Sequence, residues 1–298
     1  MRLPDDAILD WAREALGRVT VLSHFAHIHA YSNLWRLSTP NGRVWLKMHA
    51  QPHKWAGEVH ALTRWKSPLT PELLAHREDT CAVLLGEMPG RDAESLAFTP
   101  EAEARLWSEA GAWLRAFHAR TNDWIGEVLL DGKPGKRTTV DPTDLVREGF
   151  EKRLRGGVDR DLLSTEEAAF ARRAFDRGLP SLEGATAHSI HRDFHPRNWL
   201  ATSDGRLTAV LDFEHARWDV RAADLNRPWD KEFVRDPRLI DAFYEAYGRP
   251  DDRFMAQIQT MRLYNAVTGL VWAVEVGELA FSEFNRAALR RMMNVVTA

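Results

Sequence analysis

The segment from His191 to Asn198 contains the residue types that phosphoryl transfer requires. It reads H-R-D-F-H-P-R-N and places the carboxylate of Asp193 five residues before the amide of Asn198. A carboxylate here could accept the proton of an attacking hydroxyl, and an amide oxygen could bind Mg²⁺. The apolar run that follows ends in a second carboxylate, Asp212, which is another hard oxygen ligand. The spacing therefore predicts that Asp193 is a catalytic base and that Asn198 and Asp212 bind Mg²⁺.

Two charged residues nearer the N terminus could bind the phosphates of a nucleotide. Lys47 lies on a predicted strand, and Glu58 follows eleven residues later on a predicted helix. An ammonium group neutralises phosphate oxygens, and a carboxylate beside it fixes its position. We therefore interpret Lys47 and Glu58 as a pair that binds the phosphates of a nucleotide.

The residues around Lys47 are predicted to form an antiparallel sheet. Three β-rich runs are separated by turn residues and cover 19–25, 33–38 and 43–49. The dipeptide Asn41-Gly42 is a strong hairpin signal, and the register expected from it puts Arg36 opposite Lys47. Two facing cations favour a bound anion on that face of the sheet. A predicted helix and two short strands follow, over residues 53–65, 73–76 and 82–87.

A run of turn residues then separates this region from a helical one. Glycine and proline in residues 86–90 prevent a central strand from continuing, so we place a hinge there. Residues 1–87 are expected to form a nucleotide-binding lobe, and residues 88–298 a lobe with the catalytic loop and the acceptor site. The helices predicted in the second lobe cover 100–117, 165–177, 237–247, 252–276 and 282–296. The expected fold class is α+β, with a small antiparallel sheet in one lobe and mainly helices in the other.

Composition excludes several classes of function. The 298 residues carry a net charge of −3, and the pI is near 6.5, which leaves no basic field for nucleic acid. Cys81 is the single cysteine, so no internal disulfide can form and a cytoplasmic location is favoured. No apolar run approaches the ~20 residues of a membrane span. We expect no nucleic-acid or membrane partner, and the oligomeric state stays open.

The motifs together resemble those of the aminoglycoside phosphotransferase and choline kinase superfamily, whose loop commonly reads H-G-D-x-H-P-x-N. The loop from His191 to Asn198 matches this pattern except that Arg192 replaces glycine. Asp212-Phe213-Glu214 matches the metal-binding D-F/W-E of the family, and Asp224-Leu225 resembles its later D-L/I. The resemblance implies a bilobal, protein-kinase-like fold, Mg²⁺, ATP or GTP as phosphate donor, and a small hydroxylated acceptor.

The resemblance also implies which other residues bind the nucleotide. It places Ser32 and Asn33 at the end of a phosphate-binding loop that has no glycine between residues 24 and 33. It places Glu87 and Met88 at the hinge beside the nucleotide.

Roles in the acceptor site and in the loop itself follow from the same resemblance. His191 and His195 are expected to be structural residues of the catalytic loop. The candidates for acceptor binding are Glu214, Asp219, Trp272, Glu275 and Glu278. For the last two, a solvated helix face is an equally good interpretation, and for the tryptophan a place in the core is favoured.

Two groups of histidines permit a different interpretation as metal sites. The pattern His191-x-Asp193-x-His195 could present three zinc ligands, although a proline follows directly and no second cluster matches it. His24, His27 and His29 are closely spaced, but loop or strand histidines are the simpler interpretation.

Three classes of function remain in competition. The leading hypothesis is transfer of the γ-phosphate to a hydroxyl of an antibiotic, such as an aminoglycoside or a related natural product. A kinase for choline, another amino alcohol or a sugar metabolite is the alternative. A protein kinase is disfavoured because only eleven residues separate Asp212 from Asp224, which leaves no room for an activation loop. A nucleotide-binding pseudokinase is the third possibility, because the loop over residues 24–33 lacks glycine.

Overall fold

The computed structural model describes residues 4–26 and 32–296 of the chain. Its helices are α1 (Asp6–Leu16), α2 (Pro52–Arg64), α3 (Pro100–Phe117), α4 (Pro142–Val158), α5 (Thr165–Gly178), α6 (Glu232–Arg235), α7 (Arg238–Tyr247), α8 (Asp252–Val276) and α9 (Leu279–Val296). Its strands are β1 (Thr20–Ala26), β2 (Ser32–Thr39), β3 (Gly42–His49), β4 (Leu73–Arg77), β5 (Ala82–Gly86), β6 (Arg91–Asp92), β7 (Thr121–Asn122), β8 (Ile125–Val128), β9 (Pro134–Thr139), β10 (Ala187–Ile190), β11 (Trp199–Ala201), β12 (Leu207–Val210) and β13 (Arg217–Asp219). The mixed helix and sheet content confirms the predicted α+β class.

The chain divides into two compact units. The first takes in the chain up to Leu106 together with residues 127–135 and 196–217, and the second takes in the remaining residues. The chain therefore returns to the first unit twice after Leu106, and the second return begins within the catalytic loop motif.

The first unit is built on a five-stranded antiparallel sheet with the strand order β1-β2-β3-β5-β4. Strands alternate their side chains between two faces, and one face of this sheet is apolar. That face packs against Ile8 and Ala12 of α1, through Trp35, Leu37, Val44, Leu46, Ala82 and Leu84. Lys47 follows Leu46 and therefore lies on the opposite face. The helix α1 that covers the apolar face was not predicted.

The register of the β2–β3 hairpin differs from the expected one. Arg36 lies opposite Trp45, so the prediction that it faces Lys47 is wrong. The turn consists of Pro40-Asn41 rather than Asn41-Gly42, and this shifts the pairing by two residues. Because the two cations are not directly opposed, the register gives no support for a bound anion.

The second unit is mainly helical, and α8 is its central helix. It packs against α4, α5 and α9, and Phe150 of α4 stacks on Phe175 of α5 with 3.7 Å between the ring centroids. A capping box starts α5, because Ser164 and Glu167 exchange side-chain and backbone hydrogen bonds. The helix α4 was not predicted, and α9 starts at Leu279 rather than at residue 282. Within residues 4–26 and 32–296, no helix is both long and apolar enough to cross a bilayer.

Acid should destabilise the second unit through His188. Its Nδ1 lies 2.6 Å from the carbonyl oxygen of His118, and burial lowers its pKa from 6.5 to about 4. The unfolded chain binds this proton near pH 6.5 and the folded chain does not, so the free energy of unfolding falls as the pH drops from 6.5 towards 4. Because the ring is partly exposed, we expect a loss of only about 1 kcal/mol between pH 7 and pH 5.

Urea denaturation of the wild type and of His188→Gln at several pH values measures this contribution. The variant should show a shallower dependence of unfolding free energy on pH, since its amide does not titrate. Equal slopes for the two proteins would contradict the assignment.

Candidate active site

A short hairpin in the first unit brings the two predicted Mg²⁺ ligands to the same place. β11 and β12 pair with Trp199 opposite Val210, and the N–H of Leu211 donates to the carbonyl oxygen of Asn198 at 2.8 Å. Asn198 directly precedes one strand and Asp212 follows the other, so both lie at the same end of the hairpin. Their amide and carboxylate oxygens fit Mg²⁺, which binds to one or two protein ligands and takes water or phosphate oxygens for the rest.

Lys47 is the centre of a buried ion cluster in the first unit. Its side chain is only 5% exposed, and Nζ lies 2.7 Å from Oδ1 of Asp212. The same nitrogen lies 2.9 Å from Oε2 of Glu58 and 3.3 Å from Oε2 of Glu214. The structure thus brings together the predicted nucleotide-binding pair and one predicted metal ligand. A buried lysine needs such partners, because burial of an unpaired charge is costly.

Two further basic side chains complete this cluster, and neither was anticipated from the sequence. Nε2 of His49 lies 2.7 Å from Oε2 of Glu58, and Nζ of Lys54 lies 2.7 Å from Oε1 of Glu214. His49 follows Lys47 by two residues, so the two side chains share a face of the sheet. Lys54 lies one helical turn before Glu58 on α2. These two spacings are the sequence signals that could have identified them.

Opposite charges in the cluster keep Lys47 and Glu58 ionised, whereas burial and the neighbouring carboxylates raise the pKa of Asp212. Burial disfavours the charged form of Lys47, but the attraction of the surrounding carboxylates is greater and raises its pKa. Burial also opposes ionisation of Glu58, yet Lys47 and His49 lower its pKa to about 2. Lysine and glutamate therefore remain an ion pair at any pH near neutrality.

Close backbone contacts place α2 against the segment that carries Asp212. A Cβ on Gly57 would lie 3.1 Å from the carbonyl oxygen of Ala216, which is tighter than an ordinary contact. The N–H of Phe213 also donates to Oε1 of Glu58 at 3.2 Å. The absence of a side chain at residue 57 thus lets Glu58 reach both Lys47 and the backbone after Asp212.

Two residues of the site adopt a left-handed backbone conformation. Arg192 has φ of 66° and Asp212 has φ of 64°, a region that costs a non-glycine residue about 1 kcal/mol or more. Glycine adopts it freely, which explains why the family motif has glycine where this chain has Arg192. The contact of its carboxylate with Lys47, and the hydrogen bond from the N–H of Phe213 to Glu58, hold Asp212 in this conformation.

The beginning of the catalytic loop belongs to the second unit, where Asp224 fixes its backbone. The Asp224 carboxylate accepts the N–H groups of His191, at 2.8 Å, and of Arg192, and it lies 3.0 Å from Nε2 of His118. The ring of His191 is fully buried, and its Nδ1 accepts the N–H of Asp193 at 3.2 Å. These contacts fit the structural role expected of His191.

The carboxylate of Asp193 contacts two basic side chains of the same unit. Nε2 of His195 lies 3.3 Å from its Oδ2, and Nη1 of Arg227 lies 2.5 Å from its Oδ1. His195 was expected from the sequence to be a structural residue of the catalytic loop. Arg227 was not anticipated, because it lies far along the chain and outside every motif.

Part of the expected phosphate-binding loop lies outside the described residues. Positions 27–31, which include two of the three histidines considered as a metal site, belong to that part. Ser32 starts β2 and is 6% exposed, and Oδ1 of Asn33 lies 3.3 Å from Nε2 of His24. Among residues 4–26 and 32–296, no three His, Cys, Asp or Glu side chains are arranged to hold a metal ion. The zinc alternative therefore has no support in this part of the chain.

The predicted hinge residues lie at the end of β5. Oε1 of Glu87 accepts a hydrogen bond from Nε of Arg36 at 2.7 Å, and Met88 is half-buried. The guanidinium of Arg36 also lies over the ring of Trp45, 5.9 Å from its centroid. The structure thus groups these polar and aromatic side chains along one face of the sheet, the face that also carries Lys47.

Two of the acceptor candidates have less access to a ligand than the sequence suggested. The Glu214 carboxylate is 9% exposed and contacts Lys47 and Lys54. Asp219 is 1% exposed, and its Oδ1 accepts the N–H of Val220 at 2.8 Å.

The other three acceptor candidates lie in the second unit, at the end of α8 and just beyond it. Trp272 is half-buried, and Glu278 follows the end of the helix. The Glu275 carboxylate accepts hydrogen bonds from Arg153 and Arg160, both at 2.9 Å. Its charge is therefore already neutralised by two guanidinium groups.

Comparison with known families decides how this arrangement is classified. A model of the phosphotransferase enzyme family matches residues 26–258 of the chain. The chain belongs to this family. The expectation of a phosphotransferase, drawn from the loop motifs, is thereby confirmed. The sequence matches none of the curated proteins with which it was compared.

Solved structures show the same fold. A thermostable mutant of aminoglycoside phosphotransferase APH(4)-Ia, in a ternary complex with AMP-PNP and hygromycin B, is 15% identical with a TM-score of 0.73 and covers 97% of this chain and 98% of its own. The gentamicin complex of APH(2")-IIa is 16% identical, with a TM-score of 0.63 and 97% of both chains covered. Macrolide 2'-phosphotransferase MphH from Brachybacterium faecium is 18% identical, with a TM-score of 0.60, and covers 95% of this chain and 97% of its own. The fold is therefore that of the kinase-like phosphotransferases.

Removal of one carboxylate from the buried cluster should strongly destabilise the protein. In Glu58→Gln, His49 and Lys47 lose a buried counter-charge, and the free energy of unfolding should fall by about 3 kcal/mol. Glu151→Gln is the matched control, since it breaks a more exposed ion pair with Arg172 at 2.6 Å and should cost less than about 1 kcal/mol. Urea denaturation measures both values. Similar losses in the two variants would contradict the importance of the cluster.

Proposed function

We propose that this protein transfers the γ-phosphate of ATP or GTP to a hydroxyl group of a small molecule. The observation that carries the proposal is the buried cluster that fixes Lys47 beside Asp212 in a chain of the phosphotransferase family. Phosphoryl transfer depends mainly on positioning and on neutralising charge, and such a cluster supplies both.

In this proposal each residue of the chain has a distinct task. Lys47 binds the donor phosphates, and Glu58 holds its ammonium group in place. Asp193 orients the acceptor hydroxyl and takes its proton as the hydroxyl oxygen bonds to the γ-phosphorus. The bond from that phosphorus to the β–γ bridging oxygen breaks, and the nucleoside diphosphate leaves with the electron pair.

We assign Asn198 and Asp212 to a Mg²⁺ ion. Both are hard oxygen ligands, and the hydrogen bond from Leu211 to Asn198 holds their backbones together. When bound, the ion would add positive charge to the donor phosphates and so weaken the bond that breaks.

The similar structures support the choice of donor and acceptor. One was solved with AMP-PNP and hygromycin B, another with gentamicin, and a third is a macrolide phosphotransferase. We therefore propose a hydroxylated antibiotic as the acceptor and resistance as the biological role, in the cytoplasm where nucleotides are available. Glu275 is a weak candidate for binding an ammonium group of the acceptor, because it is paired with two arginines.

Replacement of the proposed base tests this function. Asp193→Asn keeps the size of the side chain but removes its capacity to accept the proton, so turnover should fall by about 10²- to 10⁴-fold. The measurement is release of nucleoside diphosphate from Mg·ATP or Mg·GTP with a panel of aminoglycosides and macrolides. The dissociation constant of the nucleotide should change less than about twofold, since Asp193 acts on the acceptor.

Asp241→Asn serves as the control, because that carboxylate is 65% exposed and pairs with Arg249 at 2.8 Å on the surface. It should retain full turnover. The proposal fails if the wild type transfers phosphate to no member of the panel, or if Asp193→Asn is as active as the wild type.

A further inference from the structure

The proposed base has a close ion-pair partner that no motif assigns. Nη1 of Arg227 lies 2.5 Å from Oδ1 of Asp193, while Nε2 of His195 lies 3.3 Å from Oδ2. Hydrogen bonds between ionised groups are among the strongest that side chains make, and the guanidinium group is planar and rigid. The contact therefore restricts how the carboxylate of Asp193 can rotate.

Arg227 is itself held between two fixed points of the second unit. Three residues before it, Asp224 accepts the N–H of His191 at 2.8 Å and so attaches this segment to the catalytic loop. Three residues after it, Asp230 lies 2.9 Å from Nη2 of Arg262, and the N–H of Asp230 donates to the carbonyl oxygen of Arg227 at 3.1 Å. The backbone that carries the guanidinium is thus anchored on both sides of it.

We propose that Arg227 is a positioning residue that holds the Asp193 carboxylate in the orientation needed to receive the acceptor hydroxyl. This inference rests on the proposed function. The torsion that orients a carboxylate is broad and roughly two-fold, so an unrestrained Asp193 would sample many directions. The transfer needs orientation of the hydroxyl more than strong basicity, and a positive neighbour is therefore compatible with the role of Asp193.

The partial exposure of the Arg227–Asp193 ion pair separates a role in positioning from a role in stabilising the fold. The side chains of Arg227 and Asp193 are 35% and 21% exposed, and partly exposed ion pairs add little to stability. The loss of Arg227 should therefore lower kcat and leave the unfolding midpoint nearly unchanged. Because Arg227 acts through Asp193, its loss should also have no effect once Asp193 cannot act as the base.

A double-mutant cycle tests this dependence. The proteins are the wild type, Arg227→Gln, Asp193→Asn and the double variant, with Arg227→Lys as the conservative variant. Turnover is measured with Mg·ATP and Mg·GTP, with hygromycin B, gentamicin and water as acceptors. We expect Arg227→Gln to lower kcat by about 10- to 100-fold with an unchanged KM for the nucleotide, because small misplacements of a reacting group have effects of this size. Arg227→Lys should recover part of the loss.

The decisive comparison is between Asp193→Asn and the double variant. Equal kcat values for these two proteins are expected, since effects of residues that act as one unit are not additive. If Arg227→Gln lowers kcat by the same factor in both backgrounds, or leaves kcat unchanged in the wild type, the role of Arg227 is overturned and the proposed function stands. If the wild type turns over neither nucleotide with these acceptors or with any other member of the aminoglycoside and macrolide panel, both proposals are overturned.

Arg249→Gln is the matched control for removal of an arginine. Its guanidinium pairs with Asp241 at 2.8 Å on the surface, so its loss should change neither kcat nor the unfolding midpoint. A fall in kcat in Arg227→Gln that accompanies an equal loss of nucleotide binding and of stability would identify Arg227 as merely structural.

Discussion

The interaction on which the first unit depends is the contact of one buried lysine with three carboxylates. Lys47 is 5% exposed, and at such a site an ammonium group is stable only when its charge is compensated. The compensation comes from α2 and from the segment after β12, while β3 carries the lysine itself. Elements that are distant in sequence must therefore come together before the charges are satisfied. The same requirement holds Asp212 in place, although its backbone conformation is unfavourable by itself.

Much of this arrangement could be predicted because it follows from short, regular spacings. Asp193 and Asn198 belong to one short sequence motif, and Lys47 and Glu58 lie eleven residues apart on a strand and on the helix that follows it. The hairpin register could not be predicted in the same way. Pro40-Asn41 and Asn41-Gly42 are both good turn dipeptides, and the choice between them depends on how the flanking strands pack against the rest of the sheet.

Contacts between residues far apart in the chain were beyond the reach of sequence patterns. Lys54 reaches Glu214 across 160 residues, and Arg227 reaches Asp193 from outside any motif. Glu275 carries a carboxylate that could bind a cation, yet that carboxylate is already paired with two arginines. Local spacing can place such a residue beside a site, as it does for Lys54, but tertiary packing determines which residue its charge contacts.

Calorimetric titration of AMP-PNP in the presence of Mg²⁺ tests the central claim, which is that the cluster holds Lys47 for the phosphates of a nucleotide. The proteins to compare are the wild type, Lys47→Met and Lys54→Met, the last of which disturbs the same cluster at a different lysine. The account predicts that Lys47→Met weakens binding by about tenfold or more, the effect of losing one charged hydrogen bond, and that Lys54→Met weakens it much less. Binding to folded Lys47→Met that is as tight as binding to the wild type would contradict the account.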